Sequence, residues 1–171
     1  MIGIIFRTPN KEAKVVSDLA IQEVVIDPDE IVERVEELRR DIQALIETEP
    51  IEDGIRHPAE RRLKDELSGN PVIAPNVIQH LFDEWRERPV LASALLRCVG
   101  RCDASVVGQW GVALASDALS HKNVEVRDAG VSALELWGGE EARQVLQVHT
   151  EREPVPYLAS YMKQVVQDLS K

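Results

Sequence analysis

The stretch NVEVRDAGVSALELWGGEEA, residues 123–142, carries the clearest structural signal in the chain. Its apolar residues Val126, Ala129, Ala133, Leu134 and Trp137 recur at spacings that place them on one face of an α-helix. The pattern predicts a helix over 124–137, closely followed by a second helix that begins near residue 140.

The same spacing of apolar residues appears on both sides of this stretch. It predicts further helices over 75–85, 89–99, 103–119, 140–149 and 155–169. Short loops separate all of them, and short helix–loop–helix connections imply antiparallel neighbours. We therefore expect the C-terminal portion of the chain to be a series of paired helices.

An internal repeat supports the series of pairs. At an offset of 38 residues, the apolar positions before Gly100 align with those before Gly138. At an offset of 31 residues, Met162 aligns with Val131. Two-helix units of this length are typical of an α-solenoid, in which each unit packs against the next.

The stretch 123–134 and the glycine that follows it resemble a HEAT repeat. The second helix of such a repeat typically opens with Val-Arg, continues with an alanine and then Ala-Leu, and ends at a glycine; the matching residues are Val126, Arg127, Ala133, Leu134 and Gly138. The flanking copies lack the Val-Arg pair, and the resemblance covers roughly residues 74–170. It implies an all-α, right-handed α-solenoid of HEAT-like hairpins that serves as a binding scaffold.

The N-terminal portion predicts other helices. Asp27 provides an acceptor at an N-cap, Pro28 suits the first turn, and an apolar stripe follows from Ile31 to Ile46. The stripe either packs on its own domain or forms a seam with a second chain. The pattern is too short for a sustained coiled coil, which favours packing on its own domain.

The remaining N-terminal residues complete the domain organisation. We expect a helix over 58–67, a loop over 47–57 and a helix over 11–25, whereas residues 2–6 suit either a short strand or a packed tail. A length of 171 residues fits one domain. Within it, we expect an acidic helical segment, residues 1–70, to pack on the HEAT-like repeats of residues 71–171.

Composition limits the broad class. Apolar residues make up 44% of the chain and aromatic residues only 4%, which fits packed helices. Two cysteines are too few for a disulfide framework. No leader and no membrane-spanning stretch is recognisable, so we expect a soluble cytoplasmic protein.

The negative charge is concentrated near the N-terminus. Residues 23–53 hold twelve acidic and three basic residues, which accounts for −9 of the net charge of −10. Nucleic acid is an unfavourable ligand for such a chain, whereas a basic protein is favoured. The candidate binding residues in this segment are Glu33, Glu37, Glu47, Glu49, Glu52 and Asp53.

No catalytic, cofactor-binding or metal-binding pattern is recognisable. Cys98 and Cys102 lack further ligands at zinc spacing, which favours buried thiols. Asp117 and His121 lie four residues apart, as in an Asp-oriented imidazole, but no nucleophile can be assigned beside them. We therefore expect a protein that is not an enzyme and that has no cofactor.

A second candidate surface lies on the later helices. Tyr157 and Tyr161 are out of phase with the apolar residues of the last helix. They either anchor a partner or pack against the N-terminal segment. Together with Asp128, Ser132 and Glu135 on the preceding second helix, they form a candidate protein-binding ridge.

These observations predict a non-catalytic protein that binds a basic protein partner. Small acidic single-domain proteins suit the neutralisation of basic toxins, as immunity proteins and antitoxins do. The alternatives are a module that self-associates, with a homodimer through the 31–46 stripe, and a HEAT-like enzyme or cofactor-binding protein. Neither nucleic acid nor a membrane is an expected partner.

Overall fold

The computed structural model describes residues 28–52 and 54–171. These residues are all-helical and contain no strand. The predictions for residues 2–6 and 11–25, the predicted N-cap Asp27 and the acidic residue Asp53 lie outside the described residues. The predicted all-α class is confirmed for the residues that the structure describes.

Eight α-helices and one 3₁₀ turn form the described portion of the chain. In order, they are α1 Pro28–Thr48, α2 Pro58–Gly69, α3 Ala74–Glu84, the 3₁₀ turn Trp85–Glu87, α4 Pro89–Gly100, α5 Ala104–Ala118, α6 Val124–Trp137, α7 Gly139–Thr150 and α8 Pro156–Asp168. The helices predicted from apolar spacing in this portion are present, with boundaries that differ by a few residues at most.

Local chemistry explains where the helices begin and end. Proline occupies the first turn of α2, α3, α4 and α8, where its missing N–H leaves no hydrogen bond unmade. The Asn123 side chain caps α6 by accepting from the N–H of Glu125 at 2.8 Å. Gly138 and Gly139 have φ angles of 64° and 86°, and this left-handed pair separates α6 from α7.

Helix α5 differs from the continuous helix that its sequence predicts. Gly108 has φ 54° and ψ −150°, so the first turn of α5 is separated from the rest by a break. A side chain at this position would be strained, and only glycine adopts the conformation readily. At Gly111, a β-carbon would lie 1.9 Å from Val107 Cγ1, so the close approach across the break also requires glycine.

The helices contact one another in two series. In one series, α1 contacts α3, α3 contacts α5 and α5 contacts α7; in the other, α2 contacts α4, α4 contacts α6 and α6 contacts α8. Helices α1–α2, α5–α6 and α7–α8 also pack against each other as pairs, whereas α3 and α4 meet through the 3₁₀ turn. The N-terminal pair α1–α2 therefore lies against α3 and α4.

The core explains the apolar stripe of α1. Val35, Leu38 and Ile42 are buried in a cluster that extends from α1 to α6. A second cluster joins α5 to α8, and Trp137 packs against both clusters. The centre of the stripe thus packs within its own chain, as the first interpretation predicts.

Small residues allow a close contact between α4 and α6. Gly100 of α4 lies against Ala133 of α6, and a β-carbon on Gly100 would come within 3.0 Å of Ala133 Cα. The contact joins the end of α4 to the second half of α6.

None of the described helices has both the length and the apolar character needed to cross a membrane.

Candidate protein-binding surface

The predicted ridge residues of α6 and α8 lie together on one surface. The hydroxyl of Tyr161 donates a hydrogen bond to the carboxylate of Glu135. Burial, this hydrogen bond and the negative charges of Glu135 and Asp128 raise the pKa of Tyr161. We call the surface formed by Asp128, Ser132, Glu135, Tyr157 and Tyr161 the ridge.

The two tyrosines of the ridge have different environments. Tyr157 is 55% exposed, whereas Tyr161 is only partly exposed and holds Glu135. Desolvation, followed by the charges of Asp128 and Glu125, raises the pKa of Tyr157. Tyr157 therefore remains a candidate anchor for a partner, and Tyr161 instead fixes the position of an acidic side chain.

A basic residue of α4 lies beside the ridge. Arg97 of α4 contacts Asp128 at 3.1 Å and Glu125 at 4.0 Å. The separation of 31 residues between Arg97 and Asp128 matches the shorter repeat offset of the sequence. Arg97 therefore reduces the negative charge at the α4 side of the ridge, whereas the carboxylate of Glu135 contacts Tyr161.

A groove along α4 connects the ridge to the acidic loop that follows α1. A cavity of about 410 Å³ lies between residues 46–51 and the start of α4, and a second of about 200 Å³ lies between α4 and α6. Arg97 lines both cavities. Val90, at 74% exposure, and Leu136, at 60%, are exposed apolar residues along this groove.

The described candidate residues of α1 and the acidic loop are exposed, but two of them are paired. Glu33, Glu37, Glu47, Glu49 and Glu52 all lie at the surface. Arg62 of α2 lies 3.7 Å from Glu37, and Arg88 lies 3.8 Å from Glu47. These arginines are distant in sequence, so the charge counted along residues 23–53 overstates the charge of the surface that those residues form.

Arg101 and His57 determine the shape of the acidic loop. Arg101 of α4 donates to the carbonyl oxygens of Ile55 and Glu52, each at 3.0 Å, and to the carboxylate of Glu60. His57 accepts from the N–H of Ala59 through Nδ1, and its Nε2 lies 3.0 Å from the carbonyl oxygen of Glu49. The sequence identified neither role, because both depend on contacts across the loop.

The second buried histidine makes equivalent contacts. His121 accepts from the N–H of Asn123 through Nδ1, and its Nε2 lies 2.7 Å from the carbonyl oxygen of Arg86. Asp117, the predicted partner of His121, instead binds Arg86. The hypothesis of an Asp-oriented imidazole is therefore wrong, because both ring nitrogens already contact the backbone.

The two cysteines are buried. Burial raises the pKa of Cys98 to about 12 and that of Cys102 to about 11, so both thiols stay protonated at neutral pH. The prediction of buried thiols is confirmed. Among the described residues, no group of three or more histidine, cysteine or acidic side chains is arranged to hold a metal ion.

Comparison with known proteins identifies no relative. No protein-family model, no curated protein sequence and no solved structure matches the chain.

Proposed function

We propose that this chain is a non-catalytic helical-repeat protein that binds a basic protein partner through the ridge. The observation that carries the proposal is the grouping of exposed Tyr157 with Asp128 and Glu135 on adjacent helices, with Tyr161 holding Glu135 in place. A tyrosine presents a large contact area at low entropic cost, and fixed carboxylates complement lysine and arginine.

The acidic loop extends the proposed interface. Glu47 lines the α4 groove across from the ridge. Glu49 and Glu52 line a neighbouring cavity on the same loop and have no ion pair with any described residue. A partner that spans the groove would meet carboxylates on both sides and apolar contacts from Val90 and Leu136 between them. Such an arrangement favours a basic segment with apolar side chains.

We also propose that the helix pairs form a right-handed, HEAT-like solenoid. Hydrogen bonds between successive pairs recur at similar separations, which supports this proposal. Arg86 binds Asp117 and Arg97 binds Asp128 across 31 residues, and Trp137 binds the carbonyl oxygen of Cys102 across 35. Regular contacts between neighbouring units are what a solenoid requires.

The most specific form of the proposal is an immunity protein or antitoxin. In that role the chain would act in the cytoplasm, require no cofactor and mask a basic toxin, without binding nucleic acid or a membrane. The acidic ridge would both accelerate association with the toxin and cover its positive surface.

Affinity capture with matched variants tests the proposed interface. The immobilised protein is compared with a Tyr157→Ala, Glu135→Gln variant in a native lysate of the source cells. The control is Val148→Ala, Glu141→Gln, which removes an exposed apolar side chain and a carboxylate from α7. We expect a basic protein to be retained by the wild type and the control, and to be lost with the ridge variant.

Ionic strength provides the second readout. Binding through exposed carboxylates weakens as salt rises from about 50 mM to about 500 mM, because mobile ions screen such charges. An acidic partner, or equal retention by the ridge variant and the control, would contradict the proposal.

A further inference from the structure

A cleft at the start of α2 collects positive charge on an otherwise acidic chain. The cleft has a volume of about 450 Å³ and is lined by Arg56, His57, Pro58, Glu60, Arg61 and Lys64. Its three cations, Arg56, Arg61 and Lys64, are all exposed. The cleft is separate from the ridge, which lies on α6 and α8.

These cations differ from most of the others in the described portion of the chain. Within residues 28–52 and 54–171, most arginines and lysines lie within 4.0 Å of a carboxylate; those without such a pair are Arg40, Arg56, Arg61, Lys64, Arg152 and Lys163. Three of these six line one cleft. Unpaired cations are therefore concentrated there.

Arg62, which follows Arg61 on α2, shows that carboxylates are within reach of this helix. Arg62 contacts Glu37 at 3.7 Å, Asp41 at 2.7 Å and Glu66 at 3.0 Å. Arg61, one position earlier, has no ion pair with a described residue. The α1 side of α2 is thus neutralised, and the cleft side is left positive.

The other polar groups of the cleft are already occupied. The Glu60 carboxylate accepts from Arg101 and from the N–H of His57. Both ring nitrogens of His57 contact the backbone, one of them at the N–H of Ala59 near the start of α2. The remaining hydrogen-bond donors of the lining side chains are therefore the guanidinium groups of Arg56 and Arg61 and the ammonium group of Lys64.

We propose that this cleft binds a phosphate group, carried either by a free phosphate ester or by a phosphorylated side chain. A phosphate monoester carries close to two negative charges at neutral pH, so it can neutralise most of three cations, whereas a carboxylate carries one. Two guanidinium forks suit the oxygens of a phosphate. The volume lies within the range of small-ligand sites.

The proposal does not depend on the protein-binding function of the ridge. A long polyanion such as nucleic acid would extend beyond the cleft over the acidic surfaces of α1 and its loop. A single phosphate group places its charge inside the cleft. The shared chemistry of the two sources is the phosphate monoester, and the choice of probe distinguishes them.

Calorimetric titration of the full chain at low ionic strength provides the test. The probes are phenyl phosphate, a short peptide containing phosphoserine, and the same peptide with glutamate at that position. The cleft variant is Arg61→Glu, Lys64→Glu. The control is Arg152→Glu, Lys163→Glu, which alters net charge equally at exposed sites outside the cleft.

We expect phenyl phosphate to bind the wild type and the control with dissociation constants within about twofold of each other. The cleft variant should bind at least about tenfold more weakly, since charge-assisted hydrogen bonds are lost. Tighter binding of the phosphopeptide would assign the phosphate to a protein, and equal binding would show that the phosphate group alone suffices.

Three outcomes would overturn the proposal: no measurable binding to the wild type, an equal loss of binding in both variants, or binding of the glutamate peptide as tight as that of the phosphopeptide. Circular dichroism verifies that each variant is folded. If Arg61→Glu, Lys64→Glu unfolds, the milder Arg61→Gln, Lys64→Gln variant replaces it, with Arg152→Gln, Lys163→Gln as its control.

Discussion

Arg62 in α2 and Arg127 in α6 both bind carboxylates, but they do so in different environments. Arg62 has a side chain that is 22% exposed, and it contacts Asp41 and Glu37 of its own helix pair. Arg127 is 9% exposed and binds Glu153, which is 2% exposed, through two hydrogen bonds of 2.8 Å. The first neutralises a surface, and the second joins α6 to the loop before α8.

We expect these two ion pairs to stabilise their regions unequally. Arg127 also donates to the carbonyl oxygens of His121 and Lys122. Its guanidinium therefore holds the loop before α6 in addition to forming the ion pair with Glu153. A buried charge that loses its partner is costly, whereas a partly exposed charge regains water. The acidic N-terminal pair should therefore tolerate changes that the C-terminal pairs do not.

The largest expected effect comes from Arg127→Met. Removal of the guanidinium leaves the buried carboxylate of Glu153 without its partner and two carbonyl oxygens without their donor. We expect the free energy of unfolding to fall by about 3–5 kcal/mol, and a loss below about 1 kcal/mol would remove the distinction between the two regions. Urea denaturation monitored by circular dichroism measures the change.

The second largest effect is expected from Gly100→Leu, which tests whether close packing stabilises the C-terminal pairs independently of the ion pair. Gly100→Leu would force α4 away from Ala133, whose Cα would lie 3.0 Å from the new β-carbon. We expect a loss of about 2–3 kcal/mol from overpacking. The control is Gly69→Ala, because no heavy atom lies within 4 Å of a β-carbon there; equal losses in both variants would contradict the packing argument.

A smaller effect is expected from Arg62→Met. The side chains of its partners Asp41 and Glu37 are 44% and 53% exposed and return to water, and Glu66 keeps Arg34 at 3.2 Å. We expect a loss of about 1 kcal/mol in the free energy of unfolding. A loss as large as that of Arg127→Met would show that the N-terminal network is as important to stability as the buried pair.

The smallest expected effect is a dependence of the stabilisation by the Arg127–Glu153 pair on pH. The Arg127 guanidinium lowers the pKa of Glu153 below its ordinary value of 4.5. The stabilisation is therefore fully present above this ordinary value and is lost as the pH falls through the pKa in the folded state. Thermal unfolding of wild type and Glu153→Gln between pH 6 and pH 3 should show a difference that narrows on acidification, and a widening difference would contradict this assignment.

Periodicity predicted the helices well because apolar spacing and proline positions are local signals. The helix predicted over 124–137 is α6 itself, and the one predicted to begin at Pro58 is α2. The break at Gly108 was not predictable, because the same residues fit a continuous helical pattern. A glycine within a helix does not by itself reveal a left-handed conformation.

The candidate surfaces were predicted less completely. Helical phase places Tyr161 off the apolar face of its own helix, but its contact with Glu135 depends on how α8 packs on α6. The neutralisation of Glu37 by Arg62 depends on how α1 packs on α2, which no local pattern reveals. The unpaired cations of Arg56, Arg61 and Lys64 also become evident only when the pairs of the other cations are known.

The ion pair between Arg127 and Glu153 limits how the chain could be shortened. Glu153 precedes α8, whose residues Leu158 and Met162 share a core with Leu146 of α7. A truncated product that ended after α7 would leave an arginine buried without its counter-ion and an apolar helix face open to solvent. Loss of α8 and of the loop before it would therefore have to be accompanied by a change at Arg127 in α6.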